Sequence, residues 1–177
     1  MTSDPPIRRQ RVAAYAVVLR AGGGEGRGEG LREGSELLLT QLSALTTAPG
    51  RWTLPGGGVD HGEHPADAVA REGREETGLS IEVGQLLGVD SRHIVGTSPR
   101  GVLEDYHVVR LVYAGNVPVD APTPEVVEVD GTTAAVAWHS LDAVCSRAVD
   151  AVDLVHTAIG LLSEATGRSF DPLHGTR

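Results

Sequence analysis

Three glutamates, Glu72, Glu75 and Glu76, are spaced i, i+3, i+4. On a helix that spacing puts all three carboxylates on one face. Like charges so close repel, and the apolar residues around them offer no compensation. Arg71 stands four residues before Glu75 and can pair with it, and a bound divalent ion would neutralise the rest. Oxygen-only ligands select a hard metal, so Mg²⁺ is the expected ion, with Mn²⁺ as its substitute. Such a site would hold a pyrophosphate, offset charge in the transition state and activate a water. The run Pro55-Gly56-Gly57-Gly58 reads as a turn that lets backbone approach closely, so the Gly56 carbonyl is a further ligand candidate. A solvated acidic helix face is the alternative that the three glutamates alone leave open.

The acidic residues need a helix to carry them, and residues 65–77 read as one. Pro65 suits the first helical position, Asp67 favours the first turn, and Gly78 is placed to end the helix. Residues 12–20, rich in Val and Ala, read as a buried strand, and 37–42 as its returning partner. Between them, 21–36 holds seven glycines among Glu and Arg and reads as a flexible hairpin insertion. Residues 51–54 and 126–129 read as short strands, and 81–89, 107–114 and 134–139 as longer ones. Ser140 is a possible helix cap. Val149, Val152, Val155, Ile159 and Leu162 lie on a helical stripe that faces a core. Residues 1–11 read as a loose arm, 12–163 as a single domain and 164–177 as a tail.

Composition narrows the chemistry. All 15 basic residues of the 177 are arginine, against 24 acidic ones, for a net charge of −9. Without lysine there is no Schiff-base or Walker-type lysine. The acidic balance argues against a nucleic-acid polymer as partner. One cysteine, Cys145, excludes an internal disulfide and a Cys-cluster zinc site; it reads as a small, half-buried residue. The longest apolar run near the N-terminus is a strand of eight residues, so no membrane partner is expected and the expected location is cytoplasmic.

Gly57, five residues, Glu63, seven residues and then Arg71-Glu72-Gly73-Arg74-Glu75-Glu76-Thr77-Gly78-Leu79 resembles the Nudix box, G-x5-E-x7-R-E-U-x-E-E-x-G-U with U aliphatic. All seven fixed residues match. Chance would give such a match with a probability of roughly 10⁻⁵ on composition alone. Gly73 departs, standing where an aliphatic belongs, and some local looseness is expected there. The likeness extends through Leu37-Leu38-Leu39, Leu54-Pro55-Gly56-Gly57 and Trp138-His139-Ser140-Leu141, over roughly residues 12–162. It implies an α/β fold, an α/β/α sandwich around a central mixed β-sheet. The implied activity is metal-dependent hydrolysis of a nucleoside diphosphate linked to another group. Carried over by position, Glu75 and Glu76 are metal ligands with the Gly56 carbonyl, and Glu72 is a ligand or the general base. Arg71 orients the glutamates and Glu63 is auxiliary. A further carboxylate is expected from a later loop, with Glu128 first and Asp130 or Glu104 as rivals.

Substrate signatures outside the box do not match. Val95 stands where an ADP-ribose type carries Pro, Gly96 and Thr97 where a dinucleoside polyphosphate type carries Tyr, and Gln41 where a coenzyme A type carries Arg. A nucleoside triphosphate or other nucleoside-diphosphate-linked small molecule is the residual expectation, with a homodimer as an open assembly. Trp52, Tyr106 and Trp138 are candidates to stack on a base, and Arg51, Arg92, Arg100 and Arg110 to contact phosphate. The rival reading is a catalytically weak nucleotide sensor; isomerase chemistry is disfavoured because Cys145 lies in a helical context.

Overall fold

A strand whose residues are apolar in both alternate sets must be covered on both faces. The Val- and Ala-rich run is such a strand and becomes the centre of the molecule. The computed structural model describes residues 5–22, 34–98, 101–127 and 129–167. In it β1 spans Ile7–Arg20, β2 Glu36–Leu42, β3 Trp52–Thr53, β4 Gly56–Gly58, β5 Glu82–Thr97, β6 Leu103–Asn116 and β7 Thr133–Ser140. The helices are α1 Pro65–Thr77, α2 Leu141–Cys145 and α3 Asp153–Thr166. The seven strands form one mixed sheet in the order β3-β2-β1-β6-β5, with β4 added to β1 and β7 to β2. β1 runs parallel to β6, and the other pairings are antiparallel.

Ala14, Ala16 and Val18 of β1 face α1, where they meet Leu38, Val69, Leu79 and Ile81. Val17 and Leu19 face the other way, onto Leu37, Leu39, Leu54, Leu154, Val155 and Ala158 beneath α2 and α3. These two cores are the layers of an α/β/α sandwich, as the resemblance implies. Helix α1 has the bounds that its signals predict. His64 is its N-cap, accepting from the Ala66 N–H, and Gly78 ends it in the left-handed conformation.

Several expectations are corrected. β1 starts at Ile7, so residues 7–11 are strand and not loose arm. β6 supplies the missing backbone partners there, and Arg8–Asp105 and Arg9–Glu104 ion pairs tie the two strands. Strands 81–89 and 107–114 lengthen to β5 and β6 for the same reason: cross-strand pairing carries polar sequence that no apolar alternation marks. The glycine run is strand β4 and not a turn, because it pairs with Ala13, Ala14 and Tyr15. A Cβ at Gly56 (φ 132°) would stand 2.3 Å from the Ala14 carbonyl oxygen, so only glycine fits. No strand forms at the described part of 126–129, where Glu125 and Val127 donate instead to the Thr77 and Glu75 carbonyls of α1. Ser140 precedes α2 without a side-chain cap, and Val149 and Val152 pack on the core from outside α3. Most of the 21–36 insertion, at 23–33, and most of the tail, at 168–177, lie outside the described residues.

Gly73 is buried, and the gap its missing side chain leaves is filled. Ile81 Cδ1 lies 2.6 Å from where a Cβ at position 73 would be, so the expected looseness is taken up by a residue that follows the helix. Restoring the aliphatic should therefore overpack. Gly73→Leu is expected to lower stability by about 1–3 kcal/mol in urea unfolding, and Ile81→Ala in the same chain to recover much of that loss. Simple additivity of the two would contradict the assignment.

Candidate active site

Helix α1 lies across β4 with its carboxylates turned toward the glycines. A Cβ at Gly57 would come within 2.8 Å of the Glu72 carboxyl carbon. The glycine thus keeps open the space in which that carboxylate lies against backbone. Glu76, one turn on, is only 5% exposed. It accepts from the Gly56 N–H at 2.9 Å and from the Thr133 hydroxyl at 2.8 Å. A buried carboxylate needs such donors, since desolvation otherwise penalises its charge. The Glu76 charge in turn reaches Tyr15 below, whose phenol is pushed up by burial first and by Glu76 second.

Arg71 holds the remaining acids. Its Nε and Nη2 donate to both oxygens of Glu63, at 2.9 and 3.0 Å, and Nη1 donates to Glu72 at 2.8 Å. Nη1 also stands 3.6 Å from Glu75, the i, i+4 pair expected from spacing. Nη2 reaches the Gly58 carbonyl at 3.2 Å. Glu63 further accepts from the Asp60 N–H. These hydrogen bonds, Arg71 foremost, hold the Glu63 carboxyl at about 2. The Arg71 guanidinium is held the more firmly protonated by Glu63 and then Glu72.

The structure thus brings Gly56, Glu63, Arg71, Glu72, Glu75 and Glu76 together along the side of α1 that meets β4. Glu128 lies outside the described residues. Of its rivals, Glu104 is tied to Arg9 at 3.0 Å, six residues before Arg110 on β6 and so about 20 Å along the strand from the level of β4. Asp130 has a left-handed backbone (φ 57°). The donor chemistry suits a hard divalent ion, being carboxylate and carbonyl oxygen around a glycine cradle. Yet among the described residues no three acidic, His or Cys side chains converge as they stand to ligate an ion. The reason is visible: Arg71 engages Glu72 and Glu75 while Glu76 faces inward.

Of the candidate phosphate contacts, Arg51 is committed to Asp150 and the Ala151 carbonyl, and Arg110 to Asp90. Arg100 lies outside the described residues. Trp52 packs edge-on against His139, and Trp138 lies beneath Arg20; among the described residues Tyr106 has neither kind of contact. The Cys145 thiol is pushed up to about 11 by burial, as suits a structural residue. Sequence reasoning missed Thr133, which no spacing connects to Glu76, 57 residues away. It also missed Arg11, assigned to the arm. The Arg11 guanidinium lies over Gly58, where a Cβ would meet its Nη2 at 2.2 Å.

The profile described as NUDIX domain matches residues 9–156. The chain is similar to a MutT-like protein of Streptomyces ambofaciens, 33% identical over 130 residues that cover 71% of each chain. It is also similar to diphosphoinositol polyphosphate phosphohydrolase 2 of Rattus norvegicus, 49% identical over 54 residues. That match covers 30% of this chain and 28% of the relative's length. The structure of a MutT NUDIX hydrolase from Burkholderia pseudomallei superposes with a TM-score of 0.60 at 27% identity, covering 87% of this chain and 98% of that one.

Two outcomes follow from this geometry. Thr133→Val removes a donor from a buried carboxylate and is expected to lower stability by about 1–3 kcal/mol in urea unfolding; an unchanged midpoint would count against the buried pairing. Glu63 has a depressed folded pKa, so its pairing is complete above the ordinary carboxylate range and fades as pH falls through about 2. Carboxyl-carbon NMR should find Glu63 still ionised at about pH 3, and a midpoint in the ordinary glutamate range would refute the clamp.

Proposed function

The chain belongs to the Nudix family, and on that premise we propose that it is a divalent-metal-dependent hydrolase. Its bond of choice is a pyrophosphate linkage in a nucleotide or nucleoside-diphosphate-linked small molecule, attacked by water at phosphorus. The Arg71 clamp on Glu63, Glu72 and Glu75 carries this reading. It concentrates acid on one helix end beside a glycine strand, an arrangement that a plain solvated face does not need. The two named relatives support it, one being called MutT-like and the other a phosphohydrolase of a diphospho compound.

In the proposed mechanism Glu75, Glu76 and the Gly56 carbonyl would hold the ion, Mg²⁺ or Mn²⁺, with Glu128 as a further donor and Glu72 as a ligand or the general base. When bound, the ion neutralises phosphate charge and lowers the pKa of water. Glu72 stands at the edge of the clamp and can take the proton from the attacking water. Oxygen then bonds to phosphorus as the bridging P–O bond breaks, and the phosphorylated fragment leaves. Arg71, bound to the Gly58 carbonyl, keeps Glu72 oriented against β4. Glu63 fixes Arg71 from the other side, and so acts on the reaction only through it.

The sensor reading has one observation in its favour, the lack of a converged ligand set among the described residues. The two are separated by phosphate and pyrophosphate release across a panel of nucleotides with and without Mg²⁺. Turnover that needs the metal and falls about 10²–10⁴-fold in Glu72→Gln is expected. Glu76→Gln should abolish it as well, with its fold checked by circular dichroism because that carboxylate is buried. Tight nucleotide binding without turnover would replace the enzyme by the sensor. No helix among the described residues is long and apolar enough to cross a membrane, in keeping with a proposed cytoplasmic location.

A further inference from the structure

A sheet that ends leaves a row of unpaired backbone groups, and folds protect such edges with charge, proline or irregularity. β5 is one edge of this sheet: among the described residues only β6 pairs with it. From Gly88 to Thr97 it runs in unbroken register, with neither proline nor lysine. Among the described residues, backbone hydrogen bonds from this stretch go to β6 alone. Val89 and Val95 are more than half exposed on one face, and Ile94 is exposed on the other. The opposite edge of the ribbon is protected, because β1 carries Arg8, Arg9 and Arg11 in close succession there.

The charges on the β5 edge are few, and their order is informative. Asp90 is bound by Arg110 of β6 on its inner side. Arg92, a candidate phosphate contact by sequence, is exposed and has no ion pair or hydrogen bond among the described residues. Two copies of one strand pair antiparallel about a two-fold axis normal to the sheet. Facing residues must point to the same side, so that axis passes through a residue. Through Asp90 it sets aspartate against aspartate, and through Arg92 arginine against arginine. Through Ser91, between them, it sets Asp90 opposite Arg92 of the second copy, and does so twice. Arg110, Asp90 and the second copy's Arg92 then form a row of alternating charge across the joint. In the same register Val89 lies opposite His93 of the other strand, and Ile94 opposite Gly88.

We propose that a second copy of this chain pairs on β5, antiparallel and centred on Ser91, so that the mixed sheet continues from one protomer into the next. Backbone hydrogen bonds along the two edges supply the attraction, and the Asp90–Arg92 pairs fix the register. Both copies use the same patch, so the assembly closes as a dimer and leaves no β5 edge to grow from. β4 joins β1 on the side away from β6 and β5. The joint therefore leaves the acidic side of α1 outside it, and the proposal stands or falls independently of the hydrolase reading.

The test is sedimentation equilibrium of the full chain at micromolar concentrations, where a reversible dimer is expected. Val89→Lys and Arg92→Asp should each weaken association by about tenfold or more, since each change enters the joint twice. Leu45→Lys, at an exposed apolar residue of another loop, should leave it unchanged. Circular dichroism checks that each variant keeps its fold. The register is read by disulfide formation in a Cys145→Ser background. Ser91→Cys should cross-link two copies on air oxidation, because facing Cβ atoms stand about 4.5–5.5 Å apart. His93→Cys should not, because its two copies lie roughly 13 Å apart along the strands. A monomer at every concentration, or a dimer that ignores both Val89→Lys and Arg92→Asp, overturns the joint. Equal cross-linking by Ser91→Cys and His93→Cys overturns the register. A monomer that dimerises only when residues 168–177 are removed assigns the edge to the chain's own tail and overturns the proposal as well.

Discussion

One guanidinium sets the condition for everything around it. Glu63, Glu72 and Glu75 crowd around one guanidinium beside α1, and without that counter-charge their repulsion would spread them into solvent. Arg71 prevents this by giving two hydrogen bonds to Glu63 and one to Glu72 and by standing 3.6 Å from Glu75. The same side chain holds the Gly58 carbonyl, so it also fixes how the helix sits on the sheet. A lysine could supply charge there but not the planar fork that serves several oxygens at once.

The fourth carboxylate is stabilised in another way. Glu76 is buried, and its charge is met by the Gly56 N–H and the Thr133 hydroxyl. The three glycines of β4 let this happen, because the helix can lie close only where the strand has no side chains. The site is therefore built by two kinds of interaction. A half-buried ion-pair clamp holds the outer carboxylates, and a small buried hydrogen-bond network holds the inner one. Loss of the first would be felt in orientation and acid response, and loss of the second in global stability.

Away from the helix, the sheet gives the molecule its reach. β1, β5 and β6 extend well past the core as a three-stranded ribbon, held by backbone pairing and by cross-strand ion pairs rather than by burial. Its two faces differ. One carries His93, His107, Ser91 and Gln10, which bond to one another and to Asp105. The other carries Arg9 and Arg11 of β1, Arg110 of β6 and Arg92 of β5. Alternation along β1 thus sorts residues that are adjacent in sequence into separate chemical surfaces.

Much of the active end was legible in the sequence, because a helix is a local structure. Spacing alone put Glu72, Glu75 and Glu76 on one face and gave Arg71 its i, i+4 partner, and Pro65 and Gly78 marked the ends. The sandwich followed from a motif resemblance. Other features were decided only by tertiary structure, for one physical reason: they depend on contacts between residues distant along the chain. The polar ends of β1, β5 and β6 carry no apolar alternation, and become strand only when a neighbour supplies their hydrogen bonds. Gly56 to Gly58 read as a turn until Ala13 to Tyr15 paired with them. Thr133 gained its role by lying beside Glu76, and Ile81 by filling the space above Gly73. Local spacing determined which acids face together; the sheet decided what faces them.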